Sequence, residues 1–522
     1  MLLLFFITIL AVVAHHDIYR SYLWAADADI IYVYQALLFN DGLKQDYFDH
    51  TGYLYFVILS LWIRLFAFFG LVEIHRFSQL PGPTEFEHVY AQLVFAGRWL
   101  SVLLAAILAF VLYRNIRKLT GLPIVAALVG VLVSLSPGVI THSLILRTEL
   151  PAILFALLAF FALVRACRAD GVQTYVHLFI AALLSMLSLL TKVQTIFLLL
   201  FYPLLALLYG QRSKTGIALL PEPNTRTLTA AFVFGAIAFV LPAAVMLAGQ
   251  IAITRGGRYQ AAVVLFLVLY LVLAMHLYAR LYRRTNRESG LALLTLLTGF
   301  SAGLYFNLYH LAVENTSSIA NFIEHMRVFG NERLAATKTL SDMLYEIFGR
   351  LPVYLLGTLQ RIYAEIAWIT FPTQPLYWFA TAGTLVALFA DRRLALQAGS
   401  LLAIAIAMEA VTQLRYWAPH YQIFTDTWVY IACALLIAGM LRHRAWSGLT
   451  RQSCKVALTV LVAAATGIAI LSVNFAIQDR SRGQEQDPHN VCTLGRGFLK
   501  RLPSHFDKYC SPQPGSSSLP GG

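Results

Sequence analysis

YLYFVILSLWIRLFAFFG, residues Tyr53–Gly70, is the stretch on which the topology of this chain turns. It is apolar almost throughout, carries one charge, Arg64, and approaches the ~20 residues that a membrane-spanning helix needs. Counted as a span, it places Arg114, Arg117 and Lys118 outside the membrane and inverts every later loop. Taken as a re-entrant or interfacial helix, with the Arg64 head snorkelling to the surface, it leaves the basic residues of the chain on one side. The second reading is the self-consistent one.

Outward from that stretch, the chain has 522 residues, 59% hydrophobic and 12% charged, and a mean hydropathy of +0.68. A soluble globular chain is about one-quarter charged, so a soluble enzyme is excluded. The expected fold is an all-α polytopic membrane protein with about thirteen spans, near residues 2–14, 93–113, 122–138, 151–165, 177–190, 195–209, 228–249, 262–278, 291–309, 376–390, 396–412, 424–441 and 456–473. The formal charge of +13 would suggest nucleic acid in a soluble domain, but here it reports topology. Six alternate loops carry 18 Lys and Arg residues, from Arg114 to Lys455, whereas the four short loops on the other side carry five: Arg147, Lys192, Arg255, Arg258 and Arg415. The basic set is read as cytoplasmic, with the N-terminus inside and the C-terminus periplasmic or extracytoplasmic.

Residues 1–473 form the membrane domain on this reading. Three outward segments exceed connector length: 15–92 after the first span, 310–375 after the ninth, and the tail 474–522, whose Pro/Gly/Ser-rich end is expected to be disordered. The amphipathic stretch 340–371 is expected to lie along the outer interface. The first span starts at Met1 without a basic flank, which leaves open a true start upstream, and His15-His16 stands where a signal peptide would show small residues. Cys492 and Cys510 both fall in the outward tail, where an oxidising compartment would let them pair.

Chemistry-bearing residues gather at the outer ends of the spans. In AADADIIYVYQALLFNDGLKQDYFDHTGYLYF, Asp27 and Asp29 lie beside the membrane surface, where partial desolvation raises carboxylate basicity, while Asp41, Asp46, Asp49 and His50 follow in the loop. SPGVITHSLILRTEL places Arg147 and Glu149 at the mouth of the fourth span, where Glu149 also suits a helix N-terminus. QLRYWAPHYQIF supplies Arg415, Tyr416 and His420; Arg clamps phosphate bidentately or anchors at the interface. Lys192 occupies a very short outward turn, as a snorkelling terminus or a second phosphate contact. Arg98, costly in lipid, is expected to face the bundle. Carboxylates and cations on one outer face suit a substrate with a lipid tail and an anionic head, and equally a transport pathway.

In order and sidedness these motifs resemble the GT-C superfamily of polyprenyl-phosphate-dependent glycosyltransferases, which includes protein O-mannosyltransferases, aminoarabinose transferases and the oligosaccharyltransferase catalytic subunit. ADADIIYVYQALLFNDG is similar to the family's first outer-loop motif, which implies Asp29, then Asp27, as catalytic acid. YFDHTGYLYF resembles its Asp-His-Pro segment, with Thr51 where Pro is usual. SPGVITHSLILRTEL places Glu149 at the acidic position of the second outer loop, while LLTKVQ and RYWAP resemble the Thr-Lys and Arg-Tyr-x-x-Pro elements, implying phosphate contacts for Lys192, Arg415 and Tyr416. The resemblance implies transfer of a sugar from a polyprenyl-phosphate donor to a lipid, glycan or protein acceptor on the outer face, with inversion as the leading reading; the compact build, without an organelle address, suits a bacterial inner membrane. Asp49, His50, Arg147 and His420 become substrate-binding candidates, and a divalent Mg or Mn ion on Asp29 and Glu149 is compatible with some members. The alternative is a polytopic transporter or lipid flippase, against which the apolar midspan positions weigh.

Overall fold

The computed structural model describes residues 1–15, 18–19, 21–43, 45–46, 52–169, 171–192, 194–209, 234, 236–241, 244, 257–282, 285–314, 340–364, 373–413, 419–442, 492 and 499–510. Among these the regular elements are helices: α1 (Leu2–His15), α2 (Ala26–Asn40), α3 (Tyr53–Phe68), α4 (Phe86–Thr120), α5 (Pro123–Ser134), α6 (Pro137–Leu144), α7 (Glu149–Ala166), α8 (Val172–Thr191), α9 (Thr195–Tyr209), α10 (Gly257–Tyr282), α11 (Asn286–Glu314), α12 (Leu340–Tyr363), α13 (Thr373–Ala390), α14 (Arg392–Gln413) and α15 (Ile423–Arg442). Five of them are long and apolar enough to cross a membrane, and a sixth crossing is made if the bent pair α5 and α6 counts as one. The chain is a multi-pass membrane protein. The expected thirteen spans are not established: expected span 456–473 and most of 228–249 lie outside the described residues.

Three local structures differ from the sequence expectation. The second outer loop holds a helix, α6, turned 51° from α5. Pro137 lacks an N–H and cannot continue α5, and Ser136 caps the new helix by accepting the Val139 N–H at 3.4 Å. α4 begins at Phe86 and runs for 35 residues, about 52 Å against a hydrocarbon core of ~30 Å, so it is longer than the core is thick. The interfacial reading of Tyr53–Gly70 becomes the 16-residue helix α3. Its Arg64 does more than snorkel: Nε donates to Asn40 Oδ1 at 2.5 Å and Nη2 to the Asn40 carbonyl at 3.2 Å, closing the C-terminal end of α2.

α7 and α15 are apolar around their whole circumference and are buried accordingly. Phe160 meets Trp428 edge to face at 5.3 Å, and Tyr202 donates to the Ala156 carbonyl at 2.5 Å. α8 and α11 approach through Gly299 and Gly303, where an added Cβ would come within 2.6 Å of the Phe179 carbonyl oxygen and 2.7 Å of Met186. That small-xxx-small spacing permits close backbone approach where no hydrophobic force drives helices together.

The loops segregate to the two ends of α4. At its C-terminal end, Arg165 Nη2 donates to Asn115 Oδ1 at 2.7 Å, Arg442 donates to the Thr120 carbonyl, and Gln397 reaches the Leu208 carbonyl at 3.4 Å. At the N-terminal end sits the tail, closed by the Cys492–Cys510 disulfide. Phe506 and His505 pack on Phe86 with ring centroids 5.7 and 4.8 Å apart, and Arg501 Nε lies 3.4 Å from Asp46. Asp46 also accepts from the Tyr34 hydroxyl, and burial together with that carboxylate pushes the phenol well above its usual range.

If the basic end is cytoplasmic, a membrane-impermeant maleimide will label Ser504→Cys in intact cells and Lys118→Cys only after permeabilisation. The reverse pattern would invert the orientation. Two further thiols, from Cys492 and Cys510, will become alkylated only after reduction.

Candidate functional site

α2 carries Asp29 into the protein interior, where it is fully buried. Its Oδ2 meets Arg98 Nη2 at 2.6 Å and its Oδ1 accepts the Leu146 N–H at 2.8 Å. Arg98 is itself buried on α4, and its guanidinium donates to the Ile18 carbonyl at 2.7 Å and the Ser21 carbonyl at 3.4 Å. The pair therefore ties the first outer segment to α4 and to the link between α6 and α7. Nearby, Ser101 Oγ donates to the Ile145 carbonyl at 3.2 Å and Tyr90 to the Ile30 carbonyl at 2.7 Å.

A second pair stands at the start of α7. Glu149, fully buried, faces Lys192 Nζ across 2.9 Å, with Arg147 Nη1 at 3.9 Å and the Thr148 hydroxyl 3.4 Å from its other oxygen. Lys192 ends α8 in an extended conformation, and its carbonyl accepts both the N–H and the hydroxyl of Thr195 at 3.2 and 2.8 Å. Of these groups Arg147 reaches the surface, its side chain 18% exposed. Tyr55, from α3, is buried close enough to feel both carboxylates. Burial chiefly, with Asp29 and Glu149 adding to it, pushes its phenol up. The two pairs thus share one neighbourhood.

A third cluster lies where the C-terminal ends of α12 and α14 meet the start of α15. Arg361 pairs with Glu409, and a cavity of about 20 Å³, room for one water, is lined by both together with Gln374, Tyr377, Gln422 and Asp426. Gly138 on α6 touches the start of α15 so closely that a Cβ would fall 2.8 Å from the Ile423 N. That contact sets the second outer loop against the turn Pro419–Gln422, next to the stretch bearing Arg415.

Among the candidates, Asp29, Arg147, Glu149 and Lys192 come together. Asp27 lies on α2 and His420 on the turn before α15, their side chains outside the description, while Asp49, His50, Arg415 and Tyr416 lie outside the described residues. Asp29 is enclosed, with a partner on each oxygen, rather than standing at the membrane surface as expected. The suggested divalent ion does not fit the described donor set: each of the two carboxylates already faces a protein cation, and no three His, Cys, Asp or Glu side chains gather among the described residues. Arg98 was legible as a charge in a span, though not its partner. Glu409 and Asp426, each a lone acid in an apolar helix, carried the same signal.

Arg98→Ala leaves the Asp29 carboxylate buried without its cation and should cost about 3–5 kcal/mol. Thermal unfolding of the purified protein should show Asp29→Asn combined with Arg98→Gln to be less damaging than the sum of the single changes; additive losses would exclude a coupled pair.

No protein-family model matches the chain, and no curated protein does. Among solved structures it is similar to the crystal structure of the Archaeoglobus fulgidus oligosaccharyltransferase in complex with zinc and sulfate, with 16% identity and a TM-score of 0.37 over 83% of this chain and 47% of that one. The chain thus spans about half the length of that protein. Similarity at this level decides neither fold nor activity.

Proposed function

We propose that the chain is a membrane glycosyltransferase of GT-C type, moving a sugar from a polyprenyl-phosphate-linked donor to a lipid, glycan or protein acceptor on the extracytoplasmic face of a cell inner membrane. One observation carries the reading. Every buried Asp, Glu, Lys or Arg among the described residues, namely Asp29, Arg98, Glu149, Lys192, Glu409 and Asp426, sits at the same end of the bundle, the end that holds the disulfide-closed tail. A transporter needs such groups near the midplane, on the substrate's path. A transferase acting on a lipid-linked head needs them at one interface.

In this reading Asp29 is a positioning residue that holds the outer segments in register through Arg98 and the Leu146 N–H. Glu149 is the carboxylate that takes the proton. A donor phosphate entering past Arg147 engages Lys192 and Arg147, together with Arg415 and Tyr416, and so releases Glu149 from its pairing with Lys192. The freed carboxylate accepts the proton of the acceptor O–H or N–H, and the acceptor atom attacks the anomeric carbon. The bond from that carbon to the phosphate oxygen breaks, its electron pair leaving with the polyprenyl phosphate, and the configuration inverts. The described residues support no step through a metal ion.

Mass spectrometry of envelope lipids and glycans from cells with and without the chain tests this. Loss of one sugar-bearing species, with accumulation of its polyprenyl donor, is expected in the deletion and in Glu149→Gln. Arg415→Ala should raise the donor concentration needed, leaving kcat less affected. A deletion that changes the distribution of a lipid across the membrane but no covalent structure would establish the transporter reading instead. An inactive but folded Asp29→Asn beside an active Glu149→Gln would return the proton-accepting role to Asp29.

A further inference from the structure

Glu409 and Asp426 are buried carboxylates that the proposed transfer chemistry leaves unused. Both stand on the walls of the cavity of about 20 Å³ that α12, α13, α14 and the start of α15 form between them, a space for a single particle the size of a water. What can occupy it follows from the polar groups around it. The donors on the walls make their described hydrogen bonds to protein groups: Arg361 Nη2 to Glu409, Gln374 Nε2 to the Ile362 carbonyl at 3.2 Å, and the Thr425 hydroxyl to the Gln422 carbonyl at 3.0 Å. An acceptor is left over. Gln422 is 5% exposed, and its Oε1 is buried with no hydrogen-bond partner among the described residues. A buried amide oxygen in that state is costly unless something inside the cavity meets it. Tyr377, buried on the same walls, supplies a further oxygen.

Charge points the same way. The walls carry two carboxylates and one guanidinium, and Asp426 lies in the first turn of α15, where the helix dipole suits a negative charge. A water would satisfy the amide oxygen alone, whereas a small cation satisfies the oxygen and the carboxylates together. A divalent ion does not fit: calcium takes six to eight oxygens and magnesium keeps several of its waters, for which this cavity has no room.

We propose that this cavity binds one alkali-metal cation, held by the Asp426 carboxylate, Gln422 Oε1 and the Tyr377 hydroxyl, with Glu409 balancing Arg361 beside it. The ion ties the turn before α15 to α13, and so secures the end of the second long outer segment against the bundle. The site is independent of the glycosyltransferase reading.

The full-length chain, purified in mild detergent and dialysed into choline chloride, should take up radioactive sodium at one ion per chain. Replacing choline chloride by sodium chloride at constant ionic strength should raise its melting temperature by about 2–4 °C. Gln422→Leu and Asp426→Asn should each weaken sodium binding about tenfold or more and remove that rise. Equal melting temperatures in the two salts, with no sodium retained, would overturn the proposal and leave the cavity to a water. So would undiminished sodium affinity in the folded variants. If neither variant folds, Tyr377→Phe decides: it removes one oxygen without changing the shape of the wall, and should weaken sodium binding, so an unchanged affinity there would also overturn the site.

Discussion

A charge taken out of water inside a helical bundle must bring its partner with it, because an isolated buried ion costs more than any packing gain returns. In this chain that requirement is met by Asp29 and Arg98, 69 residues apart in sequence and 2.6 Å apart in space. Much of the outer end depends on them. Arg98 is fixed along a rigid helix. Its guanidinium binds the carbonyls of the segment after α1, and its carboxylate partner holds the N–H of Leu146, which precedes Glu149 by three residues. Where Glu149 meets Lys192 is thus set partly by an ion pair that neither belongs to.

The helix that presents Arg98 is longer than the membrane is thick, and the excess has a use. Its N-terminal turns give the first outer segment and the tail a common support. Phe86 receives Phe506, Tyr90 holds the Ile30 carbonyl, and Trp62 of α3 donates to the Ala96 carbonyl at 2.7 Å. The disulfide between Cys492 and Cys510 closes the docked tail on itself. Helix α3, the tail and the short reoriented helix α6 thus form one cap over this end of the bundle.

Charge is distributed unevenly along the bundle. Buried pairs of opposite sign occupy one end, while exposed cations, Lys118, Arg165, Arg168, Arg393 and Arg442 among them, gather at the other beside Asp391 and Glu288. The difference follows from solvent: a buried charge must bring its counter-charge with it, whereas water and salt screen like charges at the surface.

Hydropathy and charge count were enough to show, from the sequence alone, that this is a helical membrane protein, and to mark Asp29, Arg98, Glu149 and Lys192 as charges that need a partner. These are properties of residue composition over windows longer than a helical turn, where the bilayer acts as a uniform solvent. Only the tertiary structure decided that Asp29 is enclosed by Arg98, that Glu149 rather than a water shell faces Lys192, that Ser136-Pro137 turns the chain into α6, and that Cys492 and Cys510 meet. Each of these depends on which residue a distant helix presents at a given height and rotation, a matter of a few ångströms set by packing at contacts such as Gly138 against Ile423. Periodicity places a residue on a face, but only packing brings two faces together.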